Sequence, residues 1–212
     1  MILNFIFSNL NIIILSIWIV FLILVAIRYF KPGWVRNISY LNIFFIAIGI
    51  HIFYGLFVTW GQYRVWQNGS EMAKMLVRLP LPSQAPLPSL LEWVRPLFEN
   101  SFGYFLYYIL GRVWFNIFIS FLVSGILYLI FKIWNHYRGG FIEQGPFLLL
   151  ILMLISGFPG VLVSVSLGFI LSLLFFVVSY IRGDKVIKIE PIFIFSTLLA
   201  LLFTNVILSY VL

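Results

Sequence analysis

Residues 139–160, GGFIEQGPFLLLILMLISGFPG, decide how this chain is organised. The run from Gly145 to Ser156 is apolar enough for a lipid bilayer, yet a carboxylate, Glu143, and an amide, Gln144, stand just before it. These twelve residues rise about 18 Å as an α-helix, against a hydrocarbon core of about 30 Å. Either Glu143 and Gln144 enter the bilayer, or the segment spans only half of it.

The rest of the chain has the same membrane character. Of its 212 residues, 63% are hydrophobic and 9% are charged, far from the roughly 25% charged content of globular proteins. A soluble core could not absorb so much apolar surface, so an all-α polytopic membrane protein is expected, one transmembrane domain over residues 1–212. The absence of Cys excludes disulfides, a thiolate nucleophile and a Cys-ligated metal. His51 and His136 are too few for a His-based site, and no metal or cofactor is expected. The net charge of +7 would suit nucleic acid, but Lys and Arg flank apolar runs instead of gathering in a polar patch. The expected partner is therefore the lipid bilayer, without nucleic acid.

Working outward from the opening stretch, Pro159 ends the fourth span, and Val161–Ile181 is the fifth. Along it Gly160, Ser164, Gly168 and Ser172 recur every four residues, a small-residue stripe that lets another helix approach closely. A charged turn with Arg182, Asp184, Lys185, Lys188 and Glu190 leads through Pro191 into a sixth span. On the N-terminal side, Leu10–Phe30 reads as a first span. Its first basic residue, Arg28, follows the apolar run, so a retained span is expected and not a cleaved signal. Pro32 and Gly33 end it. Tyr40–Trp60 is the second span, with His51 near its middle.

Residues 62–112 form the long polar loop, with Pro80, Pro82, Pro86 and Pro88 as an extended linker between two surface helices. The first starts at Ser70, and the second carries a capping box from Ser89 to Glu92. A pocket lid or a partner-binding loop is the competing reading. The apolar run from Phe102 to Trp134 is interrupted by Arg112, which would cost about 2.5–3.5 kcal/mol at the bilayer centre. A break at Gly111 is therefore expected, with the third span over Val113–Trp134.

In this six-span layout Arg28, Lys31, Arg36, Lys132, Arg138, Arg182, Lys185 and Lys188 share one side, while the opposite short segments carry no basic residue. That asymmetry makes the basic side cytoplasmic in a cell membrane, with both termini and the 62–112 loop outside. A half-span at Gly145–Ser156 would throw Arg182, Lys185 and Lys188 outward, so a full span is favoured there.

The order of segments resembles the prepilin peptidases, the intramembrane aspartyl proteases that cut the leaders of type IV pilins and archaeal flagellins. Similar features are the basic turn into Arg138-Gly139-Gly140, the turn Gly157-Phe158-Pro159-Gly160, and the stripe from Gly160 to Ser172. So is the passage from Ile187-Lys188-Ile189-Glu190-Pro191-Ile192-Phe193 to Ser196-Thr197-Leu198-Leu199-Ala200-Leu201-Leu202-Phe203. The likeness covers Ile13–Ser39 and Ile119–Phe203. It implies two catalytic aspartates at the cytoplasmic ends of two spans, but those positions fall on Arg28 and Gly145, and neither serves as a general acid or base at neutral pH. Glu143, two residues away, with Glu190 as partner, would be a displaced pair; pairing of Glu143 with Arg28 or Arg138 is the plainer alternative.

Three functions follow as expectations. The first is a prepilin-peptidase-like scaffold without the protease, binding or assembling a pilin-like helix or another membrane protein. The second is an active enzyme, a peptidase with displaced acids or a lipid-modifying enzyme using Glu143 and His136. The third is a small-solute carrier with His51 and Asn116 along a polar path.

Overall fold

The computed structural model describes residues 9–87, 89–138, 144–182 and 188–211, and every regular element among them is a helix. Helix α1 (Leu10–Phe30) coincides with the expected first span. The Lys31 amide closes it on the Ile27 carbonyl at 2.8 Å, and Pro32, which has no N–H to donate, opens a 3-10 turn, Pro32–Val35. Helix α2 (Tyr40–Gln67) starts where the Ser39 hydroxyl accepts from the Asn42 amide at 3.1 Å.

Helix α2 does not stop at Trp60 and Gly61 as expected. A mid-helix glycine costs only about 1 kcal/mol, and the added turns are held by Tyr63 and Trp66 against Phe105. Short helix α3 (Glu71–Val77) follows, then a 3-10 segment (Ser89–Val94), α4 (Arg95–Phe98), α5 (Gly103–Ile109), a π turn (Leu110–Trp114) and α6 (Phe115–Arg138).

The break expected at Gly111 is absent, because residues Gly103–Tyr137 form one apolar helix 35 residues long. The π turn keeps Arg112 within it, exposed and with its guanidinium carbon 5.9 Å from the Tyr108 ring centroid. Only about 20 residues need lie in hydrocarbon, so a helix of this length carries Arg112 to the boundary unbroken. The connector between the long helices is correspondingly shorter than residues 62–112.

The chain ends with α7 (Gly145–Ser156), α8 (Gly160–Arg182) and α9 (Glu190–Val211). Among the described residues four helices are long and apolar enough to cross a membrane: α1, α2, Gly103–Tyr137 and Gly160–Ile181. Helix α7 and the Glu190–Thr204 stretch of α9 are shorter. Helices of this kind make the chain an integral membrane protein, since a continuous helix satisfies its own backbone in lipid.

The chain divides into two compact units. One combines the chain up to Ile50 with that from Ile119 onward, and α7 lies in its core. Every α7 residue except Phe147 and Ser156 is buried, as a helix apolar all round should be, and α1, α8 and α9 pack against it. Gly157 turns the chain out of α7 at φ 60°, a conformation that glycine adopts without steric cost; the Phe158–Pro159 peptide is cis.

Helices α8 and α9 then run side by side. A methyl group at Gly168 would lie 2.7 Å from the Phe193 ring, and the Ser164 and Thr197 hydroxyls share a buried hydrogen bond of 3.1 Å. Without a hydrophobic drive between helices in lipid, such close approach and hydrogen bonding supply the association.

The second unit, His51–Phe118, is an antiparallel helix pair. Trp114 Nε1 donates to Thr59 Oγ1 at 3.1 Å, and Trp66 meets Tyr104, Phe105 and Tyr108. The connector is a folded cap with its own buried residues, Val77, Leu81 and Phe98. The Leu81 amide donates to the Phe98 carbonyl at 2.8 Å, and the Tyr104 amide to the Leu79 carbonyl at 3.1 Å. The expected capping box is replaced by a 3-10 turn, in which both Glu92 carboxylate oxygens accept from Arg95 at 2.8 Å.

Candidate functional site

Where α1 ends, α2 begins and α9 begins, the first unit holds a polar cluster of Arg28, Tyr29, Tyr40 and Glu190. Arg28 sits in the last turn of α1. One guanidinium nitrogen donates to the Pro32 and Val35 carbonyls at 3.2 and 3.3 Å, and its central carbon lies 5.6 Å from the Tyr40 ring centroid. Its Nε is buried and meets no acceptor among the described residues. Arg28 thus fastens the 3-10 turn, using a helix-terminal cation where carbonyls point outward.

Glu190 is buried, 1% exposed, as the first residue of α9. It is close enough to Tyr29 and Tyr40 for its charge to act on both phenols. At this end of the unit Arg28 and Tyr40 are in contact, and Glu190 lies within electrostatic reach of Tyr29 and Tyr40. The permanently charged Arg28 can position and neutralise, but it cannot act as an acid or base at neutral pH. Sequence reasoning named Arg28 and Glu190 separately.

The second position implied by the resemblance has different surroundings. Gly145 and Pro146 are buried, and they open a helix whose neighbours belong to the apolar core. Glu143 lies outside the described residues, as do Gly139, Gly140, Asp184, Lys185 and Ile187. His136 is exposed and its ring meets that of Tyr137.

The stripe residues have distinct surroundings. Gly160 lies beside Thr204, where an added methyl would come within 3.4 Å of the hydroxyl; Ser164 bonds Thr197, and Gly168 receives Phe193. The Ser172 hydroxyl is buried. In the other unit His51 is buried, while Asn116 is exposed and turns its amide back to the Arg112 carbonyl at 3.3 Å. A polar path lined by both would need them to face one space. Gln67, Asn68, Glu71, Lys74 and Arg78 line an open cleft of about 610 Å³, with Glu71 and Lys74 paired at 2.6 Å. Among the described residues no group of three His, Cys, Asp or Glu side chains gathers as a metal ion would require.

Comparison with protein families, with characterised proteins and with solved structures finds no match to this chain.

Proposed function

We propose that this protein is a six-span membrane component of prepilin-peptidase-like layout that binds or assembles a partner within the bilayer and does not cut it. The partner chemistry that fits is an apolar helix such as that of a pilin, or another membrane protein. In this reading the basic turns face the cytoplasm and both termini face outward, as the charge asymmetry supports. The observation that carries the proposal is the state of the two positions where the resemblance implies aspartates. Arg28 is engaged with the carbonyls of its own turn, and Gly145 is buried at the head of an apolar helix. A paired-carboxylate protease needs one ionised and one protonated acid at those places to activate water.

The test is incubation of membranes containing the protein with a prepilin substrate. No leader cleavage is expected, with or without Glu143→Ala or Glu190→Gln. Cleavage that either substitution abolishes would overturn the proposal.

One observation favours a second reading, a catalyst with a displaced acid. Glu190 is a carboxyl side chain only 1% exposed at the head of α9, and carboxyl groups are common general acids and bases in enzymes. The same assay separates the readings through Glu190→Gln.

A further inference from the structure

The connector cap presents apolar side chains outward. Met72 is 73% exposed, Met75 64%, and Trp93 81%. Met72 and Met75 fall at i and i+3, so they share one face of α3, and Leu79, just beyond the end of the helix, is exposed as well. Lys74 and Arg78 alternate with them in sequence, and such long side chains extend their charged ends toward water while their stems cover apolar surface.

The lengths of the flanking helices fix the level of this cap. Helix α2 has 28 residues and is about 42 Å long, against about 40–45 Å for a bilayer including its headgroups. With Tyr40 at one headgroup layer, its last residue, Gln67, falls in the other. Trp66 packs against Tyr104, Phe105 and Tyr108, which brings the start of the Gly103–Tyr137 helix to that level. Only Asn68, Gly69 and Ser70 separate α2 from α3, a reach of about 10 Å at most. At the far end, the Leu79 carbonyl is tied to the Tyr104 amide at 3.1 Å.

We infer that the cap is a lipid-seated anchor, with Met72, Met75, Leu79 and Trp93 immersed at the headgroup–acyl boundary of the leaflet that these helices cross. The occupant of the apolar face is the chain's own bilayer. The cap is joined at both ends to membrane-crossing helices, α3 begins within a few residues of the end of α2, its far end is tied to Tyr104, and indole and thioether side chains suit the half-polar headgroup layer.

The chain has no Cys, so Met72→Cys, Met75→Cys, Trp93→Cys and Lys74→Cys can each carry a single environment-sensitive fluorophore. The labelled proteins are placed in nanodiscs of phosphatidylcholine and phosphatidylglycerol, with lipids bearing a nitroxide near the top of the acyl chain. Labels at 72, 75 and 93 should lose most of their emission to the nitroxide lipid and little to aqueous iodide, and the label at 74 should do the reverse. Iodide quenching at all four positions would overturn the inference. So would protection from both quenchers together with energy transfer between labelled copies, which would assign the face to a second copy of the chain.

Discussion

At Gly168 the chain removes a single side chain so that an aromatic ring of a neighbouring helix can take its place. The four-residue spacing of small residues made this close approach legible in the sequence, although the identity of the approaching side chain, Phe193, came only from the fold. Gly103 carries a tighter constraint with no such signal. A methyl group there would lie 1.5 Å from the Phe98 carbonyl oxygen, because the cap folds back onto the start of α5. An isolated glycine after Asn100 and Ser101 reads as any turn.

The two positions should respond differently. Gly168→Ala presses on a ring edge that can shift, and overpacking of this kind costs about 1–3 kcal/mol. Combining it with Phe193→Leu should restore most of the loss, since the two sites share one contact. Gly103→Ala meets backbone, so no side-chain partner should rescue it. Thermal unfolding in detergent reads both, and a Gly103→Ala protein as stable as the parent would contradict the cap geometry.

Among the elements, the first span and the position of α7 followed directly from apolar runs bounded by Pro and Gly. The continuation of α2 to Gln67 and the unbroken Gly103–Tyr137 helix did not. Both depend on tertiary contacts between the same two helices, among them Tyr63 with Phe105 and Thr59 with Trp114, which outweigh a local glycine or arginine. The connector's Ser89–Glu92 pattern misled for a related reason. Arg95 offers Glu92 a charge-assisted, two-pronged partner stronger than a backbone amide.

That clamp also ties the cap together, since Arg95 donates to the Ser83 and Ala85 carbonyls at 2.6 and 3.3 Å. The hydrogen bond from Arg95 holds the Glu92 carboxyl below its ordinary value of 4.5. A carboxylate depressed on folding stabilises the cap above the ordinary range, and the benefit is lost as the pH falls through the lowered value. The Glu92 carboxyl resonance should therefore titrate below 4.5 and return to the ordinary range in Arg95→Gln. Raised salt should narrow the difference, because the pair is exposed to solvent. An unchanged titration in Arg95→Gln would mean that the clamp does not form.

Over the whole molecule, α7 sets the topology. Its apolar surface is enclosed by α1, α8 and α9, so a helix about 18 Å long is held in place by protein on its flanks, and its length alone does not decide whether the chain emerges on the far side. Gly33 and Lys188 are both exposed, one after α1 and the other just before α9, and a full crossing by α7 puts them on the same face. A returning half-span would put them on opposite faces and carry basic residues outward, against the tendency of Lys and Arg to remain cytoplasmic. Single cysteines placed at Gly33 and Lys188 in this naturally Cys-free chain should therefore react with an impermeant thiol reagent from the cytoplasmic side alone. Labelling of Lys188→Cys from outside while Gly33→Cys stays protected would make α7 a re-entrant segment, and would remove the six-span layout on which the prepilin-peptidase-like proposal rests.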